Sequence, residues 1–149
     1  MPLSNITDPV SLPPFAVSLG DPAGIGPEIV AKAWVMREAR GLPAFFAVGD
    51  AASLRAVWLG PVEIVGSPEE AAQVFERALP CMQVAEAGEI VPGTPSIDGA
   101  RTAFQALEVA VGLARTGSAA GIVTAPVGKE QLYGVGSVSY THLRAHETR

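Results

Sequence analysis

Short apolar runs alternate along the chain with segments in which apolar residues recur every three to four positions. The apolar runs predict strands at 15–19, 44–48, 62–65, 81–85 and 121–124. The recurring apolar positions predict helices at 27–40, 51–59, 68–79 and 96–115. Strands that alternate with helices in this way are typical of an α/β fold, with a mainly parallel sheet covered by helices.

The same periodicity predicts which helix faces are buried. In the first helix, Ile29, Ala33 and Met36 are expected to line one apolar face, with Val30 and Trp34 beside it. The long helix near the end of the pattern has one apolar stripe, which should face the core. Its residues are Ile97, Ala100, Phe104, Leu107, Val111 and Ala114.

Three further segments mark boundaries between elements. Ser67, Pro68 and Glu70 form the pattern of a capping box, with Ser67 as the N-cap and Glu70 reaching back to it. The segment 88–95 holds two glycines and two prolines and is predicted to be a loop. Gly117 is predicted to cap the long helix at its C-terminal end.

Composition and charge narrow the class of protein. The 149 residues are 48% hydrophobic and 17% charged, which is typical of one globular domain. The net charge of −5 and the scattered positive residues argue against a nucleic-acid partner. The first fourteen residues, read as a loose leader, lack the pattern of a secretory signal, and no apolar run is long enough to span a membrane. With Cys81 as the single cysteine, we expect a soluble cytoplasmic protein.

The glycine-rich turn between the first strand and the first helix is the first candidate ligand site. It contains Asp21, Gly24, Gly26 and Glu28. It lacks the Lys-Ser/Thr of a P-loop, the third glycine of the dinucleotide fingerprint and the serine of a nucleophile elbow. Asp21 and Glu28 could accept hydrogen bonds from a ligand or support a cation. Alternatively, Asp21 caps the turn and Glu28 complements the helix dipole, and spacing alone does not separate these interpretations.

The segment after the last predicted strand is the second candidate site. Thr124, Pro126 and Lys129 follow the carboxyl end of that strand, where ligands bind in open α/β sheets. Lys129 could pair with a phosphate or a carboxylate. The alternative is an exposed lysine in the first turn of a helix.

The residues 137–149 depart from the preceding pattern. They are polar, lack periodicity, and resemble a translated sequencing adapter, so we expect a non-native tail and a truncated reading frame. They hold both histidines, His142 and His146, beside Glu147. This spacing could imitate a metal site, but we expect no metal site in this chain.

Two stretches of the chain resemble the 4-hydroxythreonine-4-phosphate dehydrogenase family of vitamin B6 biosynthesis. They are Ser-Leu-Gly-Asp-Pro-Ala-Gly-Ile-Gly-Pro-Glu at 18–28 and Gly-Ile-Val-Thr-Ala-Pro-Val-Gly-Lys at 121–129, with Leu-Tyr-Gly-Val-Gly at 132–136 behind. The resemblance covers 15–136, the N-terminal part of a family member. It implies a fold like that of the isocitrate and isopropylmalate dehydrogenases, cut before its second half.

The resemblance also implies an activity. Members of the family use NAD to oxidise a phosphorylated hydroxy-amino acid, which then loses carbon dioxide to give an aminoketone phosphate. They are homodimers, and three histidines hold a divalent metal such as Zn, Mg or Co. Those histidines are expected beyond the end of this chain, so no catalytic residue is assigned in it. The glycine turn and the segment 124–129 are expected to form part of the cleft wall.

Two other functions are compatible with the sequence. The chain could come from a paralogous dehydrogenase of the same family that acts on a different hydroxy acid. It could also be a small ligand-binding α/β domain that performs no chemistry.

Overall fold

A computed structural model of the chain describes residues 12–84, 88, 91 and 93–125. It contains five strands: β1 (Phe15–Ser18), β2 (Phe45–Gly49), β3 (Val62–Ile64), β4 (Leu79–Gln83) and β5 (Ile122–Thr124). Four helices are described: α1 (Gly26–Val35), α2 (Ala51–Val57), α3 (Pro68–Val74) and α4 (Ile97–Arg115). Strand and helix alternate through β4, as the sequence pattern predicts.

All five strands form one parallel sheet in the order β3-β4-β2-β1-β5. Phe15 is aligned with Phe45 in the pairing of β1 with β2, and Ser18 is aligned with Thr124 in the pairing of β1 with β5. The predicted α/β fold is therefore confirmed. In such a sheet all the carboxyl ends meet at one edge, so the carboxyl ends of β2, β1 and β5 lie side by side.

Each face of the sheet packs into its own apolar cluster. On one face, Val30 and Trp34 of α1 and Leu54 of α2 pack with Val17 and Phe45. On the other face, side chains of α3 and α4 pack with those of β1 and β2, namely Ala71, Val74, Ala106, Ala110, Ala16, Phe46 and Val48. Because both faces are covered, the central strands β1 and β2 can be apolar at nearly every position.

The first helix differs from its prediction in length and in its buried face. It ends at Val35 rather than Arg40, and residues 36–41 form turns. Just after this end, the Arg37 side chain donates to the Trp34 carbonyl at 2.9 Å and lies over the Trp34 ring, 3.6 Å from the centroid. Ile29 and Met36, predicted to be buried, are exposed. Val30 and Trp34 are buried instead, and the Trp34 indole donates to the Phe75 carbonyl at 2.8 Å.

The predicted stripe of α4 was correct only in part. Ala100 and Leu107 are buried, but Ile97 is exposed and the other three members are half-buried. The buried face is made mainly of small residues, namely Gly99, Ala100, Thr102, Ala103, Ala106, Leu107 and Ala110. Small side chains let the helix backbone approach the sheet closely, and a pattern search that weights large apolar residues does not find them.

Several other boundaries moved by a few residues. α2 ends at Val57 instead of residue 59. α3 ends at Val74 instead of continuing to residue 79, and Leu79 is already the first residue of β4. The N-cap role of Ser67 is confirmed by its side chain, which accepts from the Glu70 amide at 3.1 Å. The carboxylate of Glu70 accepts from the Gly66 amide rather than from Ser67.

Two further predictions are confirmed within the described residues. Gly117 follows the C-cap of α4 with a positive φ of 82°. Gly88, Val91 and residues 93–95 lie outside helices and named strands, as expected for a loop. Residues 1–11 of the expected leader lie outside the described residues, as does the expected tail 137–149. No described helix combines the length and apolar character needed to cross a membrane.

Candidate functional site

The glycine-rich turn lies at the carboxyl end of β1, next to the centre of the sheet. Gly20 turns the chain with φ of 76°, a conformation that favours glycine. The amide of Gly24 donates to the Asp21 carbonyl at 2.9 Å, which closes the turn. The chain then enters α1 at Gly26 with Pro27 in the first turn, where the missing N–H of proline costs nothing.

Asp21 is built into this turn. Its side chain is buried, and Oδ1 accepts from the Ala23 amide at 2.9 Å. Gly99, in the first turn of α4, lies so close that a Cβ atom there would be 3.3 Å from Asp21 Oδ1. A carboxylate beside the N-terminus of a helix is stabilised by the helix dipole. The capping interpretation of Asp21 is therefore supported by contacts, although a second role toward a ligand is compatible with them.

Gly26 brings the turn into contact with the segment after β5. A Cβ atom at this position would overlap the Leu19 carbonyl oxygen and lie 2.9 Å from the Cβ of Ala125. The amide of Ala125 in turn donates to the Ser18 carbonyl at 3.0 Å. The glycine-rich turn is thus adjacent to the carboxyl end of β5, where the second candidate segment begins.

Thr124 and Ser18 are aligned in register where β5 and β1 end. Thr124 is exposed, whereas Ser18 is buried and its hydroxyl makes no hydrogen bond within the described part of the chain. A buried hydroxyl without a protein partner is a place where an ordered water or a ligand group can bind. Sequence reasoning missed Ser18, because a serine in a strand has no special signal.

Glu28 and Gly24 differ from Asp21 in exposure. Glu28 lies in the first turn of α1 with its side chain in solvent, 3.7 Å from the Nζ of Lys32. An exposed pair of this kind contributes little to stability. Gly24 is also exposed. Both residues are accessible to a ligand at this edge of the sheet.

A second polar group lies at the same edge, after β2 and β4. Asp50 caps α2 and accepts from the Ala52 amide at 3.1 Å and from Gln83 Nε2 at 2.8 Å. Gln83 Oε1 accepts from the Ala51 amide at 2.9 Å. These bonds tie the ends of two neighbouring strands together. The sequence could have predicted the N-cap role of Asp50, since an aspartate directly before a helix is a common N-cap. The hydrogen bond with Gln83 depends on the tertiary structure.

Cys81 is fully buried in β4 beneath this group. Burial raises the pKa of its thiol from 9.0 to about 12, and the nearby charge of Asp50 adds to the increase while that of Arg55 opposes it. A thiol in this state is not a nucleophile at neutral pH. Cys81 is therefore a small buried residue of the core.

The structure thus brings Asp21, Gly24, Gly26, Glu28 and Thr124 to one edge of the sheet. Pro126 and Lys129 lie outside the described residues, as do His142 and His146. Within the described ranges, no group of three or more His, Cys, Asp or Glu residues could hold a metal ion. The part of this edge at β1 and β5 therefore offers a backbone turn, the carboxylates of Asp21 and Glu28 and the hydroxyls of Ser18 and Thr124, which suit hydrogen bonding to a polar ligand.

Comparison with known proteins gives one consistent family. The family model "Pyridoxal phosphate biosynthetic protein PdxA" matches residues 42–147. This range includes most of the segment 137–149, whose non-native origin stays a prediction. The chain is 50% identical over 123 residues to the 4-hydroxythreonine-4-phosphate dehydrogenase of Zymomonas mobilis, a match that covers 83% of this chain and 37% of the relative.

Solved structures show the same similarity. A 4-hydroxythreonine-4-phosphate dehydrogenase from Klebsiella pneumoniae superposes with a TM-score of 0.71 at 31% identity, covering 83% of this chain and 40% of the other. A terephthalate 1,2-cis-dihydrodiol dehydrogenase from Burkholderia xenovorans superposes with a TM-score of 0.64 at 25% identity, covering 81% of this chain and 36% of the other. The chain therefore spans under half the length of these proteins.

Proposed function

This chain belongs to the PdxA family of pyridoxal phosphate biosynthetic proteins, and from that membership we propose that the complete protein is a 4-hydroxythreonine-4-phosphate dehydrogenase. It would oxidise the phosphorylated hydroxy-amino acid with NAD, and the resulting keto acid would lose carbon dioxide to give an aminoketone phosphate. The 50% identity to a dehydrogenase of that name carries the proposal.

The described residues support a place for this chain in the cleft wall. The glycine turn and the end of β5 meet through the contact of Gly26 with Ala125. This contact lies where α/β proteins bind ligands, beyond the carboxyl ends of the strands. We assign substrate or cofactor contacts to the exposed groups there, Gly24, Glu28 and Thr124. Pro126 and Lys129 are included on the sequence alone, with Lys129 as a partner for the substrate phosphate.

Asp21 has a supporting role in this proposal. Its carboxylate holds the turn through the Ala23 amide and is buried. It therefore keeps the amide groups of the turn in place for a ligand. In our proposal it does not exchange a proton with the substrate.

The nicotinamide cofactor would accept the hydride in the complete protein. The divalent metal that the family resemblance implies finds no group of three ligands among the described residues. We therefore assign no step through a metal to them, and propose that its ligands come from the part of the polypeptide that this chain does not span. We further propose a homodimer in the cytoplasm, with the phosphorylated substrate as its small-molecule partner.

A chimera tests the activity. Residues 1–125 of this chain would replace the matching part of the Zymomonas mobilis relative, and NADH formation from 4-hydroxythreonine 4-phosphate would be measured with and without a chelator. We expect turnover within about tenfold of the parent relative. A folded chimera that forms no NADH above background would contradict the proposal.

Two substitutions in the chimera test the assignment of residues. Thr124→Val and Glu28→Gln remove exposed groups at the proposed wall, and we expect each to lower kcat/KM by roughly tenfold, a loss of about 1.4 kcal/mol in transition-state binding. Glu69→Gln is the matched control. It removes an exposed carboxylate in the first turn of α3, which starts after β3, and should leave kcat/KM unchanged.

The similarity to the dihydrodiol dehydrogenase favours a second candidate, a family member with another substrate. The same chimera and assay can be supplied with the cis-dihydrodiol of terephthalate. Turnover of the diol without turnover of the phosphorylated substrate would favour this paralogous activity. A folded chimera that lacks both activities would point to a binding domain without chemistry.

A further inference from the structure

The Ser18 hydroxyl is buried and unbonded at the carboxyl end of β1. The residue is 1% exposed, and its Oγ has no hydrogen-bond partner in the described part of the chain. The backbone around it is satisfied, since the Ser18 carbonyl accepts from the Ala125 amide and the Leu19 amide donates to the Val48 carbonyl, each at 3.0 Å. Burying a hydroxyl without a partner destabilises a protein, so this side chain calls for a functional explanation.

Thr124 is the neighbour of Ser18 on the next strand. The two residues are aligned in the parallel pairing of β5 with β1. Aligned residues of adjacent strands place their side chains on the same face of a sheet, with their backbones about 5 Å apart. At this separation two hydroxyls can meet after a rotation about χ1. Thr124 is exposed, and no hydrogen bond joins its hydroxyl to that of Ser18 in the described part of the chain.

The face that Ser18 and Thr124 share is the one covered by α4. Ala16, two residues before Ser18 on β1, belongs to the apolar cluster that contains alanines of α4. The buried Asp21 carboxylate lies on this side too, since a Cβ atom on Gly99 of α4 would be 3.3 Å from Asp21 Oδ1. A nearby carboxylate makes the position unfavourable for a second anionic group. A neutral group that both donates and accepts, such as a hydroxyl, is the better match.

We propose that Ser18 is a positioning residue for Thr124, and that Thr124 so held recognises a hydroxyl group of a ligand. When the ligand binds, the Thr124 O–H donates to Ser18 Oγ, and the Thr124 oxygen accepts from the ligand hydroxyl. The buried Ser18 hydroxyl then gains its partner in the bound state. The ligand hydroxyl belongs either to the substrate or to a ribose of the cofactor. This inference rests on the proposed placement of ligand contacts at Thr124.

Equilibrium binding to the chimera tests the recognised hydroxyl. The dissociation constants of NAD and of 4-hydroxythreonine 4-phosphate would be measured separately by calorimetry, with and without Thr124→Val. We expect one of the two constants to rise by about tenfold, because one hydrogen bond to the ligand is lost. The constant that rises identifies the molecule that supplies the hydroxyl. Two unchanged constants would overturn the proposal.

A double-mutant cycle tests whether Ser18 acts through Thr124. Ser18→Ala should weaken binding of the same ligand by about fivefold, and should have no further effect when Thr124→Val is already present. Ser53→Ala is the matched control, since Ser53 is as buried as Ser18 but its Oγ donates to the Asp50 carbonyl at 2.7 Å. The effect of Ser53→Ala should multiply that of Thr124→Val. If Ser18→Ala multiplies it as well, the proposal is wrong.

Urea unfolding of the 149-residue chain without ligand separates positioning from a role in the fold. In this measurement Ser18→Ala and Thr124→Val should change the free energy of unfolding independently, because the two hydroxyls are not bonded to each other. A coupling as large as the one seen in ligand binding would mean that the pair serves the fold, which would overturn the proposal.

None of these measurements uses turnover. A chimera that shows the coupling in ligand binding but forms no NADH would contradict only the proposed reaction. A chimera that forms NADH while Ser18 and Thr124 are uncoupled would contradict only this inference. A folded chimera that binds neither ligand would contradict both.

Discussion

Gly26 is the residue at which the glycine-rich turn touches the end of the last strand. Any Cβ atom there overlaps the Leu19 carbonyl oxygen and lies 2.9 Å from the Cβ of Ala125. Glycine is therefore required at this position because a larger side chain has no room. The sequence placed a glycine in a turn, but its neighbour from β5 is about a hundred residues further along the chain.

We predict that Gly26→Ala destabilises the protein by about 1 to 3 kcal/mol, because backbone must move to admit the methyl group. Gly112→Ala is the matched control. Gly112 lies within α4 and has open space around its Cβ position, so alanine should stabilise the helix by about 0.5 to 1 kcal/mol. Urea unfolding of both variants measures the difference, and a neutral Gly26→Ala would show that the close contact is wrong.

Ser18 and Ser53 form a second matched pair at the residue scale. Both are about 1% exposed, but Ser53 Oγ donates to the Asp50 carbonyl at 2.7 Å, whereas Ser18 Oγ has no partner in the described part of the chain. We expect Ser53→Ala to cost about 1 kcal/mol and Ser18→Ala to cost less than about 0.5 kcal/mol. If Ser18→Ala is the more costly of the two in urea unfolding, then Ser18 has a partner in the free protein.

The titration of Cys81 makes the stability of the protein depend on pH in the alkaline range. The pKa of the thiol is about 12 in the folded protein and 9.0 when unperturbed. Between these values the unfolded chain loses the proton that the folded chain keeps, so stability is fully present below pH 9 and falls as pH rises toward 12. We predict a slope of about 1.4 kcal/mol per pH unit at most in this window. Cys81→Ala is the control, and subtracting its unfolding free energies removes the other titrating groups. A difference between the two proteins that is independent of pH would contradict the prediction.

At the scale of elements, local signals were reliable and face assignments were not. The N-cap Ser67 of α3 and the glycine after α4 follow from short-range chemistry, and both are as predicted, whereas the Glu70 carboxylate bonds Gly66 instead of Ser67. The buried face of α1 is not, because the helix is apolar on two adjacent stripes and only the contact of Trp34 with Phe75 selects between them. The buried face of α4 consists of alanines, whose size matters only once a sheet lies beneath them.

The cap of α3 allows a test at this scale. Ser67→Ala removes the acceptor of the Glu70 amide and should cost about 1 kcal/mol of unfolding free energy. Ser67→Asp keeps an acceptor and should restore most of that loss. Ser118→Ala serves as the control, since Ser118 is exposed and its hydroxyl contacts only the exposed Thr116 hydroxyl in the described hydrogen bonds. An equal effect of the two alanine substitutions would argue against the cap.

At the scale of the whole molecule, the chain spans only part of the length of the proteins it resembles. It covers under half the length of its relatives, and the described residues include no cluster that could hold a metal. We therefore predict that the 149-residue chain by itself forms no NADH from 4-hydroxythreonine 4-phosphate, with or without added divalent metal. Turnover above a trace, measured under conditions in which the chimera is active, would contradict this.

The sequence by itself determined the class of fold, the order of the elements, the caps and the family, because these depend on neighbours a few residues apart or on short contiguous motifs. It also marked both stretches that meet at the carboxyl edge of the sheet. Only the tertiary structure decided that Gly26 touches Ala125, that Asp21 lies against α4, that the Ser18 hydroxyl makes no hydrogen bond among the described residues, and that Val123 and Ile29 share an open groove. These features depend on contacts between residues far apart in the chain, and hydrophobic periodicity carries no information about which of two apolar faces such a contact will cover.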